Sequence, residues 1–462
     1  MEEIVGSTPL ITDDTVVFGL LMGLLMLVFY TSNLPVFKKF YAIIPALLLC
    51  YFLPSIFNSM GIISPAWIDL EAALAHLTTL GYNVEGIEHL SELKVFVAEK
   101  GIAFSELKPF TGKSQLYFMA SRYLLPASLI LLTLSIDFKE VLKLGPKALA
   151  MFLTGSIGVV LGGPLALLIM QGILPQSVGG EGADAVWRGM TTIAGSWIGG
   201  GANQAAMFEV FQPSSKLYSI MITVDVIVAE IWMAFLLLGV GRANKIDRFF
   251  RADSSAIDNL KEKMAEFESR TARIPKFNDY MEIMGIAFGL TGLSHFVGNF
   301  LAKWFATHLP NTEQFSLTSS FFWLVVLSTT FGLLLSFTRA RKMEGAGASK
   351  TGSVFIYVLV ATIGMKMNVL EILDNPALFL LGIIWMAFHV GLMVLVARII
   401  RAPYFMLAVG SKANIGGAAS APVVAAAFHP ALAPVGVLLA VLGYALGTYG
   451  AWLCGIILQW LV

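Results

Sequence analysis

Apolar residues in this chain run in blocks of about 20, the length that crosses a hydrocarbon core as a helix. Such blocks lie near 15–34, 40–60, 118–137, 148–174, 217–241, 280–306, 321–338, 352–372, 377–400 and 432–461, which predicts ten membrane spans. Two further apolar stretches, 189–211 and 404–428, are interrupted by polar glycine clusters, Gly195-Ser-Trp-Ile-Gly-Gly-Gly-Ala-Asn-Gln204 and Gly410-Ser-Lys-Ala-Asn-Ile-Gly-Gly-Ala-Ala-Ser420. In lipid, a broken helix is tolerated only where the freed backbone lines a cavity or is buried in protein. Paired breaks at corresponding places in two halves therefore point to a binding site of the kind secondary transporters carry.

Two segments are not membrane-like. Residues 61–116 are more acidic than basic and hold amphipathic pieces at Trp67–Leu77 and Leu90–Ala98, which predicts an external insertion of surface helices on the outer face. Residues 242–276 are rich in charge, and Ile257, Leu260, Met264 and Phe267 form an apolar stripe at helical spacing, as in a solvated or interfacial linker helix.

Lys and Arg in short loops prefer the cytoplasm. The clusters Lys38-Lys39, Lys139–Lys147, Arg242–Lys276, Arg339–Lys342 and Arg398 with Arg401 all fall inside when each broken stretch enters and leaves the membrane on one side. Both stretches are therefore expected to be re-entrant hairpins, the first entered from outside and the second from the cytoplasm, with both termini outside. Each half then has five spans and one hairpin, so the second half is upside down relative to the first. The expected fold is an all-α polytopic membrane protein in an inverted 5+5 repeat, with boundaries 1–245 and 280–462 and a cytoplasmic linker at 246–279. Direct similarity between the halves is confined to Leu134–Leu142 followed by Pro146, and Ile363–Leu373 followed by Pro376.

Composition narrows the class. The chain is 57% hydrophobic and 13% charged over 462 residues, whereas soluble domains are about 25% charged. Zero net charge and the absence of a clustered basic surface leave no basis for a nucleic-acid partner. Cys50 and Cys454 both sit in apolar runs, which argues against a disulfide framework or a thiolate metal site. The N-terminus Met1-Glu-Glu-Ile-Val lacks the basic region of a signal peptide, so the first span is expected to stay in the mature protein.

The chemistry concentrates at the two clusters. Gly199, Gly200 and Gly201 permit a tight reversal, and Ser196, Asn203 and Gln204 supply neutral donors and acceptors. Ser411, Lys412, Asn414, Gly416, Gly417 and Ser420 do the same in the second stretch, with Pro422 as a further breaker. Half-helix N-termini suit a carboxylate, while exposed carbonyls at C-termini suit a sodium ion. Lys412 either snorkels to headgroups or neutralises an anion near the midplane. Intramembrane carboxylates mark ion or proton pathways, which singles out Asp225 and, five residues on, Glu230. Cation coupling is expected at Asp225, Asn203, Glu230 and Ser420, with sodium at Asn203 and Asp225.

Other polar residues are weaker candidates. Lys366 is read either as an anion contact or as the partner of a buried carboxylate, and Arg122 and Asp137 as interface anchors. His295 and His389, each without a second ligand at metal spacing, are read as packed and hydrogen-bonded. Thr448, Tyr444 and Tyr449 in the last span are read as facing the second hairpin, as Asp225 faces the first, with aromatic packing an equal account of the two tyrosines. Gly345–Gly352 imitates a phosphate loop but has Glu344 and Ser349 where that motif needs glycine. With no nucleophile-and-base set in the sequence, the reading is not of an enzyme.

Gly195–Gln204, Tyr123-Leu-Leu-Pro126, Leu144-Gly-Pro-Lys147 and Asn414-Ile-Gly-Gly417 resemble the YjcL-like family of uncharacterised bacterial membrane proteins, over most of the chain outside 61–116. More distantly, the hairpin layout is similar to sodium-coupled citrate and glutamate symporters and to the bile-acid symporter and cation–proton antiporter superfamily. That resemblance implies a homodimer in a bacterial cytoplasmic membrane. In it a transport domain drawn from 118–241 and 352–462 moves like an elevator against a scaffold. The expected activity is sodium-coupled symport of a small organic anion such as a carboxylate, an amino acid or a short acidic peptide, with no cofactor beyond the coupling ion. Proton coupling, sodium/proton antiport and a channel remain the alternatives.

Overall fold

Each of the ten apolar runs carries a helix in the computed structural model, which describes residues 6–41, 44, 46–87, 89–252, 274–366, 376–429 and 432–462. Helices are what hydrocarbon allows, because every backbone polar group must be satisfied within its own segment. Among the described residues, seven helices are long and apolar enough to cross a bilayer. They are α1 (Asp14–Ser32), α5 (Leu116–Leu134), α6 (Pro146–Ile173), α9 (Ser215–Val240), α11 (Phe277–His308), α14 (Ala377–Ile400) and α17 (Ala433–Trp460). The 17-residue α12 (Ser320–Ser336) makes an eighth when joined to Arg339–Ala346 across a 97° bend. Shorter apolar helices α2 (Ala46–Ser59) and α13 (Ala348–Gly364) account for the other two runs. The protein is a multi-pass, all-α membrane protein.

The chain divides into two compact units, residues 1–122 with 357–370, and 123–356 with 371–462. In the first, α1 starts at Asp13, whose carboxylate accepts from the amides of Thr15 (2.7 Å) and Val16 (3.1 Å) and is held below its usual range mainly by those bonds. The amphipathic pieces of the insertion become α3 (Leu70–Thr79) and α4 (Leu90–Lys100). They share a buried core of Ile68, Ala73, Leu77, Leu93, Val97 and Leu107. A sheet of three very short strands accompanies them, β1 (Gly6–Ser7), β2 (Ala66–Ile68) and β3 (Thr111–Lys113). β1 pairs parallel with β2 in the register Gly6 to Trp67, and β2 antiparallel with β3 in the register Trp67 to Gly112. Strands this short carry too little alternation to be read from sequence.

The second unit contains the glycine-broken stretches. Each becomes two half-length helices: α7 (Val186–Gly199) with α8 (Gly201–Phe211), and α15 (Tyr404–Asn414) with α16 (Gly417–Phe428). The first pair lies between α6 and α9 in the chain, the second between α14 and α17. α6 packs along α14, where Gly162 and Gly163 leave room for the Trp385 ring and Val159 O accepts from Trp385 Nε1 at 2.9 Å. α17 lies against both hairpins. The apolar stripe from Ile257 to Phe267 and most of the Ile363–Leu373 segment fall outside the described residues.

Beyond α9 the short helix α10 (Ala243–Phe250) ties the linker to the second hairpin, because Asp247 Oδ1 accepts from the amide of Tyr404 at 2.6 Å. Burial raises the Asp247 carboxyl above the ordinary carboxylate range, with the Tyr404 amide pulling it back. An acid whose pKa rises on folding disfavours ionisation in the native state, so its contribution falls as pH climbs from the ordinary carboxylate range through the raised value. Asp247→Asn keeps an acceptor and sheds the charge, and thermal unfolding of purified protein at pH 7 should show it at least as stable as wild type. Asp247→Ala should cost about 1 kcal/mol, the worth of a lost cap.

Candidate binding site at two helical hairpins

Half-helices of 14 and 11 residues span about 21 and 17 Å, well short of a hydrocarbon core of about 30 Å. The first pair folds back on itself at Gly200, whose φ of 75° a residue with a side chain adopts only under strain. Its open end closes on itself. Ser214 N donates to Ala183 O at 2.8 Å, Arg188 Nη1 donates to Phe211 O at 2.5 Å, and the Trp187 and Phe211 rings meet edge to face. The second pair turns at Gly416 (φ 107°) and closes where the Tyr404 and Phe405 rings pack on Phe428. Both stretches are helical hairpins whose two ends emerge side by side.

The two tips meet on α17. A Cβ placed at Gly443 would stand 2.6 Å from Ile198 O of the first tip and 3.6 Å from Ala413 O of the second, so the backbones converge where α17 has no side chain. One asparagine per hairpin fastens the approach. Asn203 Nδ2 donates to Gly199 O (3.0 Å), four residues back, and to Tyr444 O of α17 (3.1 Å), while Thr448 Oγ1 donates to Asn203 Oδ1 (2.6 Å). Asn414 Nδ2 donates to Gly410 O (2.9 Å), again four back, and to Phe152 O of α6 (2.9 Å), while Ser156 Oγ donates to Asn414 Oδ1 (2.7 Å). The receiving helices share one pattern: aromatic carbonyl, glycine three residues on, hydroxyl four residues on. It reads Phe152, Gly155, Ser156 in α6 and Tyr444, Gly447, Thr448 in α17. A side chain at Gly155 or Gly447 would collide with the amide it admits. Thr448→Val should leave Asn203 Oδ1 buried without its donor and cost about 1–3 kcal/mol, read as a lower unfolding temperature.

Charge gathers along α9. Asp225 is buried and accepts from Trp197 Nε1 at 2.6 Å and Gln204 Nε2 at 2.9 Å, with the half-buried Ser196 hydroxyl beside the same carboxyl. One turn further, Lys412 of the second hairpin is 0% exposed, donates to Ala229 O at 3.1 Å and approaches Glu230 Oε1 at 3.7 Å. Next to Lys412, Ser411 Oγ accepts from Trp232 Nε1 of α9 and bonds His389 Nε2 of α14, both at 2.8 Å. His389 Nδ1 faces Gly155 O at 3.1 Å, so Nδ1 carries the proton. A Cβ at Gly416 would reach Ser420 Oγ and come 3.1 Å from Lys412 Nζ, and Ser420 Oγ is buried with no hydrogen-bond partner among the described residues. An ammonium, a free hydroxyl and the N-terminus of α16 thus surround one small volume.

Most expected site residues come together here: Ser196, Gly200, Gly201, Asn203, Gln204 and Asp225 at the first tip, and Ser411, Lys412, Asn414, Gly416, Gly417 and Ser420 at the second. Several placements differ from expectation. Asn203 and Asp225 do not form one ligand set, because Asn203 spends its amide on α7 and α17 while the next residue, Gln204, faces Asp225. Thr448 and Tyr444 serve the first hairpin, not the second, and the Tyr449 hydroxyl meets Thr330 at 2.8 Å. Lys412 lies inside the protein, which removes the snorkelling alternative. Lys366 belongs to the other unit, its ammonium 3.9 Å from the Tyr117 ring centre. Asp137 lies 2.6 Å from Arg341 Nη1 and caps Phe138–Lys143, and the His295 ring packs with Tyr123. Sequence reasoning missed Trp197, Trp232, Ser156 and Phe152. The repeated glycine-to-asparagine spacing and the paired aromatic, glycine and hydroxyl pattern were signals that could have found the last two.

A family profile described as "Protein of unknown function (DUF819)" matches residues 91–461. The chain is also similar to "Uncharacterized membrane protein YjcL" of Bacillus subtilis (strain 168), 24% identical over 362 residues that cover 75% of this chain and 85% of the relative.

Proposed function

Since this chain belongs to the DUF819 family of proteins of unknown function, we propose from the chemistry of its hairpins that it is a secondary active transporter, coupling sodium entry to symport of a small organic anion. The observation that carries the reading is the meeting of two hairpin tips beside a buried carboxylate and a buried ammonium, about one turn apart along α9. Asp225 takes its hydrogen bonds from the neutral donors Trp197 and Gln204, and a buried carboxylate so held is costly unless a cation joins it. Lys412, Ser420 and the N-terminus of α16 suit the carboxylate of a substrate.

Charge supplies the coupling. Asp225, Glu230 and Lys412 sum to −1 − 1 + 1 = −1. A monoanionic substrate alone would take this group to −2, whereas one bound sodium holds it at −1 when the substrate arrives. Cation binding therefore favours anion binding, at a coupling of about 1–3 kcal/mol. In this reading the hairpins belong to an elevator-like transport domain of a homodimer in a bacterial cytoplasmic membrane, with the first hairpin entered from outside.

Proteoliposomes given an inward sodium gradient should accumulate a carboxylate, an amino acid or a short acidic peptide from a labelled panel. Accumulation of none of them alongside sodium-driven proton flux would establish antiport instead. Uptake driven equally by a proton gradient without sodium would assign the Asp225 site to a proton. A cysteine at Ser215, just past the open end of the first hairpin, should label from outside only.

A further inference from the structure

The short helix α10 follows the α9 span after a break of two residues and lies against the end of α14 and the start of α15. At about 100° per residue, Ala243, Ile246, Asp247 and Phe250 fall on one side of it, and Arg242, Lys245, Arg248 and Phe249 on the other. The first side is the packed one: Phe250 is buried, Ala243 and Ile246 pack on the cluster that holds Tyr404 and Phe405, and Asp247 bonds the Tyr404 amide. The other side is exposed, and Arg251 just past the helix adds a fourth exposed cation. Among the described residues none of the four is ion-paired, and Asp247, the acid of this segment, is turned inward. Among these cations Phe249 is 63% exposed, with the Arg398 guanidinium of α14 5.9 Å from its ring centre. Arg398 in turn stands beside the exposed Leu395 and Ile399, on the unpacked face of a membrane-length helix.

From this we infer that the outward side of α10, together with Arg398, is a docking surface for the anionic phospholipid headgroups of the surrounding bilayer. Headgroup phosphates answer the cations, and the Phe249 ring meets the acyl boundary, where aromatic residues are favoured. Orienting the spans needs only the number of Lys and Arg residues. It has no use for a phenyl ring left open among them. A soluble acidic partner would answer the cations too, but not the link from Phe249 through Arg398 to the lipid-facing Leu395 and Ile399. The surface lies apart from the hairpin tips and does not depend on the transport reading.

Native mass spectrometry of the full chain, purified in a neutral detergent and titrated with two lipids of equal chain length, tests this. Dioctanoylphosphatidylglycerol carries a net negative charge and dioctanoylphosphatidylcholine none. Each cation near an anionic surface is worth about fivefold, so the first lipid should bind at least about 25-fold more tightly than the second. Lys245→Gln with Arg248→Gln removes two exposed charges and should weaken the anionic lipid about 25-fold while leaving the neutral one unchanged. Phe249→Ser keeps every charge and should weaken both lipids alike, because the ring serves the acyl chains. Raising salt from 0.1 to 1 M shortens the screening length from about 10 to about 3 Å and should erase most of the preference in the wild-type protein, with no variant needed. Equal binding of the two lipids, or an anionic-lipid affinity indifferent to the paired substitution, would each overturn the assignment. Glycerol phosphate or hexaglutamate binding as tightly as the anionic lipid would overturn it in favour of a soluble phosphate or a soluble acidic partner.

Discussion

Asparagine at position 225 is expected to lower sodium-driven uptake by about 100-fold or more, the upper end of ordinary coupling, with the protein still folded. The substitution removes the formal charge while keeping the shape of the group. Its oxygen can accept from Trp197 Nε1, and its NH2 can meet Gln204 once that side-chain amide turns to offer oxygen. Both neighbours therefore keep a partner, so the loss reports on the cation. Uptake in sodium and in choline medium at matched protein levels is the measurement. Sodium dependence retained in the variant would reassign Asp225 to structure.

Methionine at position 412 should separate the two ligands. Its side chain fills nearly the volume of lysine's stem without the charge, and the Glu230 left behind is 36% exposed on its side chain, so water can replace the lost partner. The destabilisation should stay below the 3–5 kcal/mol expected when a fully buried pair loses one member. Affinity for the anionic substrate should drop by about 100-fold, equivalent to about 2.7 kcal/mol. Sodium binding, read as stabilisation against heat by added sodium, should persist or strengthen, because a nearby positive charge has gone. Loss of sodium stabilisation together with uptake would show that the two hairpins do not divide cation from anion.

Much of this arrangement was open to sequence reasoning because lipid imposes a severe rule on the backbone. A residue such as Gly200 or Gly416 in an apolar run announces a break that only buried or cavity-lining backbone can tolerate. Asp225 and Lys412 stand out because charge in such a setting needs a reason. Less visible was the face each residue presents. Asn203 and Gln204 are adjacent in sequence, yet about 100° of helical rotation sends one to α17 and the other to Asp225. Thr448 follows the second hairpin in the chain, yet it bonds the first, across 245 residues. The small sheet joining Gly6–Ser7 to residues 66–68 and 111–113 escaped because two or three residues hold no readable period.

By itself, the sequence determined the solvent, the helical class, the two interruptions and the identity of the charged groups. Each of these follows from local composition meeting a bilayer. Tertiary structure alone decided that the tips of the two hairpins meet on α17, that Asn203 and Asn414 are latched by Tyr444 with Thr448 and by Phe152 with Ser156, and that α9 presents Asp225 to one hairpin and Glu230 to the other. Those outcomes depend on which helix faces which, and hydropathy carries little of that information. Most positions in such a chain are apolar whether they touch lipid or protein, so the packed face is set by small residues and a few hydrogen bonds.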